Sequence, residues 1–293
     1  MIGVSDEVRE ARAVVALETT LVAHGFPPGE GVEVGLESER RVRAAGAVPA
    51  TIGVLDGEIV VGLTPQELER FDESARKVGP RDLAACAAQR TVGATTVGGT
   101  LAVCRAIGIQ FMGTGGIGGV HRGWQKHPDI SADLGALART QAVVVSAGAK
   151  SLLDVSATAE LLEALGVPVL GWRTDELPLF YAAHGGPQVS ARVEGQEEVA
   201  RVAAAHWSQL QGGGILLARP PDESLDDIEP LVDVAVRAAE MEGVSGPQVT
   251  PFVLAQLHRE SEGATLRVNK EFVAANAQLA AEIAVAYSRF ANG

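Results

Sequence analysis

Short apolar runs alternate with longer stretches of helical spacing along most of this chain, and that alternation leaves few architectures open. Strand-like runs fall at residues 13–17, 51–55, 59–63, 91–95, 109–113, 142–146, 167–171 and 215–218. Residues 31–45, 80–89, 100–107, 131–138, 151–165 and 194–211 have helical spacing. Strands that alternate with helices imply an α/β fold, a mainly parallel sheet sandwiched by helices. Asp56-Gly57 suits a tight two-residue turn, so the runs on either side read as a hairpin. Thr64, Pro65 and Glu67 then form a capping box with proline at the first helical position. From about Asp222 to Phe290 the spacing is helical only, which predicts a C-terminal helical layer. With no Pro/Ser-rich linker and no repeat, residues 1–293 read as one domain.

Composition narrows the partners. A net charge of −13 with no Lys/Arg-rich run argues against nucleic acid. A small anion remains possible, because backbone N–H groups and local cations can hold one. No apolar run reaches the about 18 residues a membrane span needs, and the N-terminus is charged where a signal peptide is apolar. Cys86 and Cys104 sit in apolar stretches and read as buried free thiols, so a cytoplasmic protein is expected. Of 24 Lys and Arg residues, only Lys77, Lys126, Lys150 and Lys270 are lysines. Where a positive surface suffices, this chain uses Arg; a retained Lys is a candidate for chemistry that needs a neutral amine.

In open α/β sheets ligands bind beyond the carboxyl ends of the strands, so the loops there are the place to look. Gly113, Gly115 and Gly118 match G-x-G-x-x-G after a strand, and Asp133 follows 20 residues after Gly113. A dinucleotide site needs those glycines to open a helix, and HRGWQKHPD does not. What remains is either backbone in close approach to a ligand, with Thr114 and His121 beside it, or a loop with no ligand. The run VVVSAGAKSLLD puts Lys150 at a strand end, walled by small residues and ahead of an expected helix. Partial burial and the helix dipole would both disfavour its ammonium form. The alternative is a lysine paired with Asp154 or reaching into solvent. Glu18, ending the first strand, suits a general acid or base, or a salt-bridge member. Lys77 is a candidate phosphate or sugar contact, and the N–H groups of 95–100, ahead of a helix, could hold ligand oxygens. Asp129 and Asp133, with Ser131 between, could hold a hard divalent cation through water; equally, Asp129 or Ser131 merely caps a helix.

Taken in order, ALETTLVAHG, KVGPRDL, TTVGGT, GTGGIGGVHRG, DISADL, AGAKSLLD, TPFVLA and VNKEFVAANAQLAAEIA resemble the pseudouridine-5′-phosphate glycosidase family, also met as the indigoidine synthase A family. The resemblance covers nearly the whole chain. It departs from the family at E-T-T, where E-S-T is commoner, which keeps a hydroxyl. It implies an enzyme, by convention a carbon–oxygen lyase, that cleaves the C–C bond of pseudouridine 5′-phosphate to uracil and ribose 5-phosphate. It further implies Lys150 as nucleophile and Glu18 as proton donor, with Lys77, Val97, Thr114, His121, Ser131, Ala132 and Asp133 contacting substrate. Asp129 would bind one manganese ion. An Asn of the last motif belongs to the site, Asn269 in preference to Asn276. A homotrimer and a role in nucleotide catabolism are implied too. From the residues alone, a Schiff-base aldolase and a non-enzymatic phosphosugar-binding module remain alternatives.

Overall fold

The central strands are apolar on successive residues, so both sheet faces must be covered. In the computed structural model, which describes residues 1–125, 128–225, 227–244 and 246–290, they are. In chain order the strands are β1 Ile2–Val4, β2 Val14–Glu18, β3 Val48–Leu55, β4 Glu58–Val61, β5 Arg76–Val78 and β6 Gly93–Thr95. They continue as β7 Phe111–Gly113, β8 Val143–Ser146, β9 Val169–Trp172, β10 Ala191–Val193 and β11 Ile215–Ala218. The sheet runs β1-β4-β3-β2-β7-β8-β11-β9-β10, with β6 pairing both β3 and β5. Every pairing is parallel except β3 with β4 and β3 with β6.

Alternation along the strands divides the core in two. Val15, Leu17, Val143, Val145, Ile215 and Leu217 face one layer, which holds Val199, Ala203 and Trp207 of the helix Gln196–Ser208. Ala16, Val144, Leu216 and Ala218 face the other, with Leu101 of the helix Val97–Ile107 and Leu134 of Ala132–Ala138. The long helix Ala264–Phe290 serves both: Val268 and Phe272 join the second layer, Ala277 to Ala284 the first. It lies so close to β7 that a Cβ on Gly113 would come within 2.6 Å of Ala277 Cα. From Glu229 to Phe290 the regular elements are all helical, as expected. Among the described residues no helix is long and apolar enough to cross a membrane.

The hairpin forms with Asp56 and Gly57 at φ 54° and 94°, values that suit its tight turn, and Thr64 and Glu67 close the capping box. Cys86 and Cys104 are free and buried. Several boundaries correct the sequence reading. The helix expected over 100–107 starts at Val97, because the Thr96 hydroxyl accepts from Gly99 N–H and caps it. The helix expected over 151–165 starts only at Val155, where the Asp154 carboxylate caps Ala157 N–H. The stretch 18–25, expected as a loop, contains the short helix Thr20–His24. The strands β1, β5 and β10 are three residues each, too short for periodicity to show.

Candidate active site

Glu18 ends β2 between two parallel neighbours, so the sheet itself fixes its place. Threonines lock the strand ends around it. Thr19 and Thr95 each donate a hydroxyl to Ile52 O, at 2.8 and 2.7 Å, and Thr19 Oγ1 accepts from Thr95 N–H at 2.9 Å. Glu18 is 6% exposed, and the Thr114 hydroxyl donates to its Oε1. Burial pushes the Glu18 carboxyl above the usual range, while Lys150 and then Thr114 pull it back. Thr114 is held in turn: its carbonyl accepts from Asn276 Nδ2 at 2.8 Å and its N–H donates to Val145 O at 3.0 Å.

Lys150 projects from the segment after β8, and the glycine loop after β7 ladders onto that segment. Ala147 N–H donates to Gly115 O, Ile117 N–H to Gly148 O and Lys150 N–H to Ile117 O, at 2.8, 3.0 and 3.1 Å. Lys150 does not sit at a helix N-terminus, because the next helix begins five residues on, and it does not pair with Asp154, whose carboxylate caps that helix. Lys77, in β5, is mostly buried. Burial, helped by Lys150, lowers its amine to about 8. Among the described residues neither lysine has a carboxylate within ion-pair distance.

Glu18, Lys77, Thr114, Lys150 and Asn269 line one cavity of about 40 Å³. Its remaining wall includes His24, Phe26 and Phe180, with Thr250, Pro251 and Leu254 of the helix Val249–Glu260. His24, Gly25, Phe26, Pro251 and Leu254 also border a surface hollow of about 510 Å³. A wider hollow of about 780 Å³ lies apart from both lysines of the cavity and is lined by charges already paired, such as Arg41 with Glu271. Sequence reasoning assigned no role to Phe180 or the Thr250-Pro251 pair, although the latter stands in a quoted motif. Phe180 gave no signal: its backbone takes φ 67°, which spacing cannot show.

Val97, His121, Ser131, Ala132, Asp133 and Asp129 do not line the cavity as it stands. Asp133 is 5% exposed, and its two oxygens accept from Gly98 and Gly118 N–H at 2.7 and 2.8 Å. Of the N–H groups of 95–100 proposed for ligand oxygens, those of Thr95, Thr96, Gly98, Gly99 and Thr100 are thus already taken. A Cβ on Gly118 would come within 2.4 Å of Ser131 Oγ. Ser131 caps the helix Ala132–Ala138, as the structural alternative held. His121 N–H donates to Asp129 O at 3.0 Å, and Asp129 is half exposed with Oδ2 4.0 Å from His121 Nδ1. Burial lowers His121, and Asp129 opposes the shift. Among the described residues no group of three or more His, Cys, Asp or Glu could hold a metal ion. Lys126 and His127 lie outside the described residues.

The profile of the family described as "Indigoidine synthase A like protein" matches residues 3–286. A pseudouridine-5′-phosphate glycosidase of Herpetosiphon aurantiacus is 46% identical over 279 residues, 93% of this chain and 92% of that protein. Another, of Salinispora tropica, is 47% identical over 292 residues, covering 97% and 90%. The crystal structure of the prealnumycin C-glycosynthase AlnA in complex with ribulose 5-phosphate is similar at TM-score 0.90 and 39% identity, over 100% of this chain and 98% of that one. An indigoidine synthase A (IdgA)-like protein of Thermotoga maritima reaches TM-score 0.88 at 36% identity, over 99% and 97%. With a family match over nearly the whole chain and a glutamate, a glycine loop and a lysine meeting beyond the carboxyl ends of the central strands β2, β7 and β8, this chain belongs to the indigoidine synthase A like family.

Proposed function

We propose that the chain is a pseudouridine-5′-phosphate glycosidase that cleaves the C–C bond between uracil and ribose 5-phosphate, reversibly, through a covalent lysine–ribose adduct. The observation that carries this reading is the meeting of Lys150, Glu18, Lys77 and Asn269 in one cavity, with two lysines and, among the described residues, no ion-paired partner for either. The names of the relatives support the substrate. The sugar phosphate bound by AlnA supports a pentose 5-phosphate.

Uracil must leave as carbon, so a direct displacement faces a poor leaving group and a covalent route divides the barrier. Lys150 Nζ bonds to C1′ while the C1′–ring oxygen bond breaks, and Glu18 gives that oxygen a proton. A buried carboxyl with raised proton affinity is suited to hold the proton until then. The adduct ammonium next gives up a proton to water, and its freed electron pair forms the C1′=N bond of an iminium. The pair of the C1′–C5 bond stays on uracil C5, which takes a proton. Water then adds to the iminium carbon, and ribose 5-phosphate leaves as the amine is restored. Lys77 would face the phosphate or sugar, and Asn269 the base or ribose hydroxyls. Val97, Thr114, His121, Ser131, Ala132 and Asp133 complete the proposed substrate surroundings. Ligand pockets for such molecules are roughly 300 Å³ or more, so the cavity must widen on binding.

Manganese enters this proposal only as a cation at Asp129. The described residues there do not build a protein cage, so water would complete the shell and no step is routed through the ion. A cytoplasmic homotrimer working in nucleotide catabolism completes the proposal.

Intact-protein mass spectrometry after incubation with ribose 5-phosphate and borohydride tests it. A gain of one reduced pentose phosphate, mapped to Lys150, is expected, together with uracil-dependent synthesis of the C-nucleotide. An adduct without uracil chemistry would point to an aldolase. No adduct in a protein that turns over would replace the covalent route by direct displacement.

A further inference from the structure

Arg122 belongs to the glycine-loop motif but does not line the cavity. Its guanidinium nevertheless touches two parts of the chain. Nε donates to Leu153 O at 3.3 Å and Nη2 to Ser151 O at 3.0 Å. Nη2 also meets Glu229 at 3.2 Å, and Nη1 meets Asp233. Glu229 and Asp233 lie on the helix Glu229–Met241, which precedes the helix whose Thr250, Pro251 and Leu254 wall the cavity.

The carbonyls explain why an arginine stands here. The chain after Lys150 turns through Ser151 to Leu153 before any helix begins, so helical N–H groups do not reach those carbonyls. Ser151 and Leu153 are 1% and 2% exposed, and a buried carbonyl without a donor is costly. One planar guanidinium serves both and still presents N–H groups to two carboxylates, which an ammonium cannot do in that geometry. An exposed Arg–carboxylate pair contributes little by itself; a half-buried one that also supports two carbonyls has a structural task.

We propose that Arg122 is a positioning residue: it fixes the 150–153 turn against the helix Glu229–Met241, so the aim of Lys150 and the seating of the cavity's helical wall depend on each other. The inference rests on the proposed role of Lys150. Substrate entry requires a cavity of this size to widen, and the helix Glu229–Met241, which shares the Arg122 latch with the reactive turn, packs against the wall helix Val249–Glu260. Binding that reseats the wall therefore also sets the amine.

The test uses the full chain with Arg122→Ala, Arg122→Lys and the double variant Glu229→Gln/Asp233→Asn. Two readouts are taken: the rate of borohydride-trapped ribose 5-phosphate adduct, and trace acetylation of Lys150 relative to Lys270 without sugar, read by peptide mass spectrometry. Both single variants are expected to lose ~100-fold in adduct rate, the scale for a misplaced reacting group, with altered relative labelling of Lys150. The double variant keeps the carbonyl contacts. It should trap at the native rate when saturated, while needing ~10-fold more ribose 5-phosphate, equivalent to about 1.4 kcal/mol of looser wall. Native adduct rate and labelling in Arg122→Ala, or full rescue by Arg122→Lys, would overturn the proposal. An unchanged half-saturation in the double variant would overturn the link to the wall. If the native protein forms no adduct, the functional reading fails, yet the labelling of Lys150 in Arg122→Ala still decides whether Arg122 positions it. Should Arg122→Ala not fold, Arg122→Lys and the double variant carry the same decision.

Discussion

Two regions of this molecule treat positive charge in opposite ways. Along the helix Glu30–Ala44 and its neighbours, arginines are saturated. Arg41 donates to both oxygens of Glu271 at 2.8 and 2.9 Å and to Glu37 at 2.9 Å. Arg70 takes both oxygens of Asp56 at 2.7 and 2.9 Å, and Arg43 pairs with Glu7. Arg40 and then Arg41 hold the Glu37 carboxyl down at about 2. In the cavity, Lys77 and Lys150 share a buried space without an ion-paired carboxylate among the described residues, and the acid that lines it, Glu18, is pushed toward its neutral form. The paired region can only hold shape. The unpaired one keeps an amine whose proton can leave and a carboxyl whose proton can be given. Lys270 limits the lesson: it pairs with Glu30 at 2.6 Å, so scarcity alone does not make a lysine reactive.

The sharpest break of this contrast is to put the surface's residue in the cavity. Lys150→Arg keeps the charge and much of the bulk but cannot form an imine. Turnover should fall by on the order of 10³-fold or more, with circular dichroism unchanged. Normal uracil release in that variant would end the lysine route. Lys77 gives a smaller, graded effect. As a cation facing a phosphate it loses charge through about pH 8, so kcat/KM should fall above that pH. In Lys77→Arg the falling limb should move beyond pH ~10, because a guanidinium stays charged. The stability sign follows from the same shift. The folded amine is depressed from 10.5 to about 8, so its contribution is present above 10.5 and lost as pH falls through about 8. At pH 7 the loss is complete. Lys77→Met should therefore melt higher at pH 7, by ~2–4 °C for each kcal/mol recovered, and lose that advantage above pH 10.5. An unchanged pH–rate profile in Lys77→Arg would show that the limb belongs to another group.

Much of this contrast was legible beforehand, for reasons that differ residue by residue. β11 was read to the residue and β8 to within one, because four apolar residues bounded by small or polar ones leave little choice. Glu18 and Lys150 were found because strand ends carry the loops of an α/β sheet. The start of the helix after Lys150 was misread: Ser151, Leu152 and Leu153 have good helical propensity, but the turn bonded to Val120 and Arg122 holds them outside it. Local preference lost there to contacts across a loop, which no spacing encodes. The resemblance favours Asn269 over Asn276, which spacing alone does not separate, the two being seven apart on one helix. The structure puts Asn269 at the cavity and Asn276 under the carbonyl of Thr114. Asp133 reads from its type as part of a cation site and from the resemblance as a substrate contact; spacing does not show that its oxygens hold glycine N–H groups from segments 35 and 15 residues away.

The smallest expected effect tests whether the two regions are as separate as they look. Arg41 and Glu271 join the outer helix Glu30–Ala44 to the long helix that carries Asn269 two residues earlier. If the pair only holds shape, Arg41→Ala should lose at most ~1 kcal/mol, since Glu271 is 54% exposed and solvent screens it. That is a melting-point drop of about 2–4 °C, read by calorimetry, with kcat/KM within about twofold of native. A double-mutant cycle with Glu271→Gln isolates the pair from the packing of the arginine stem. A rise in KM without loss of stability would mean that the surface pair orients Asn269. The saturated arginines would then belong to the site's support, and the division between shape-holding and reactive charge would have to be drawn closer to the cavity wall.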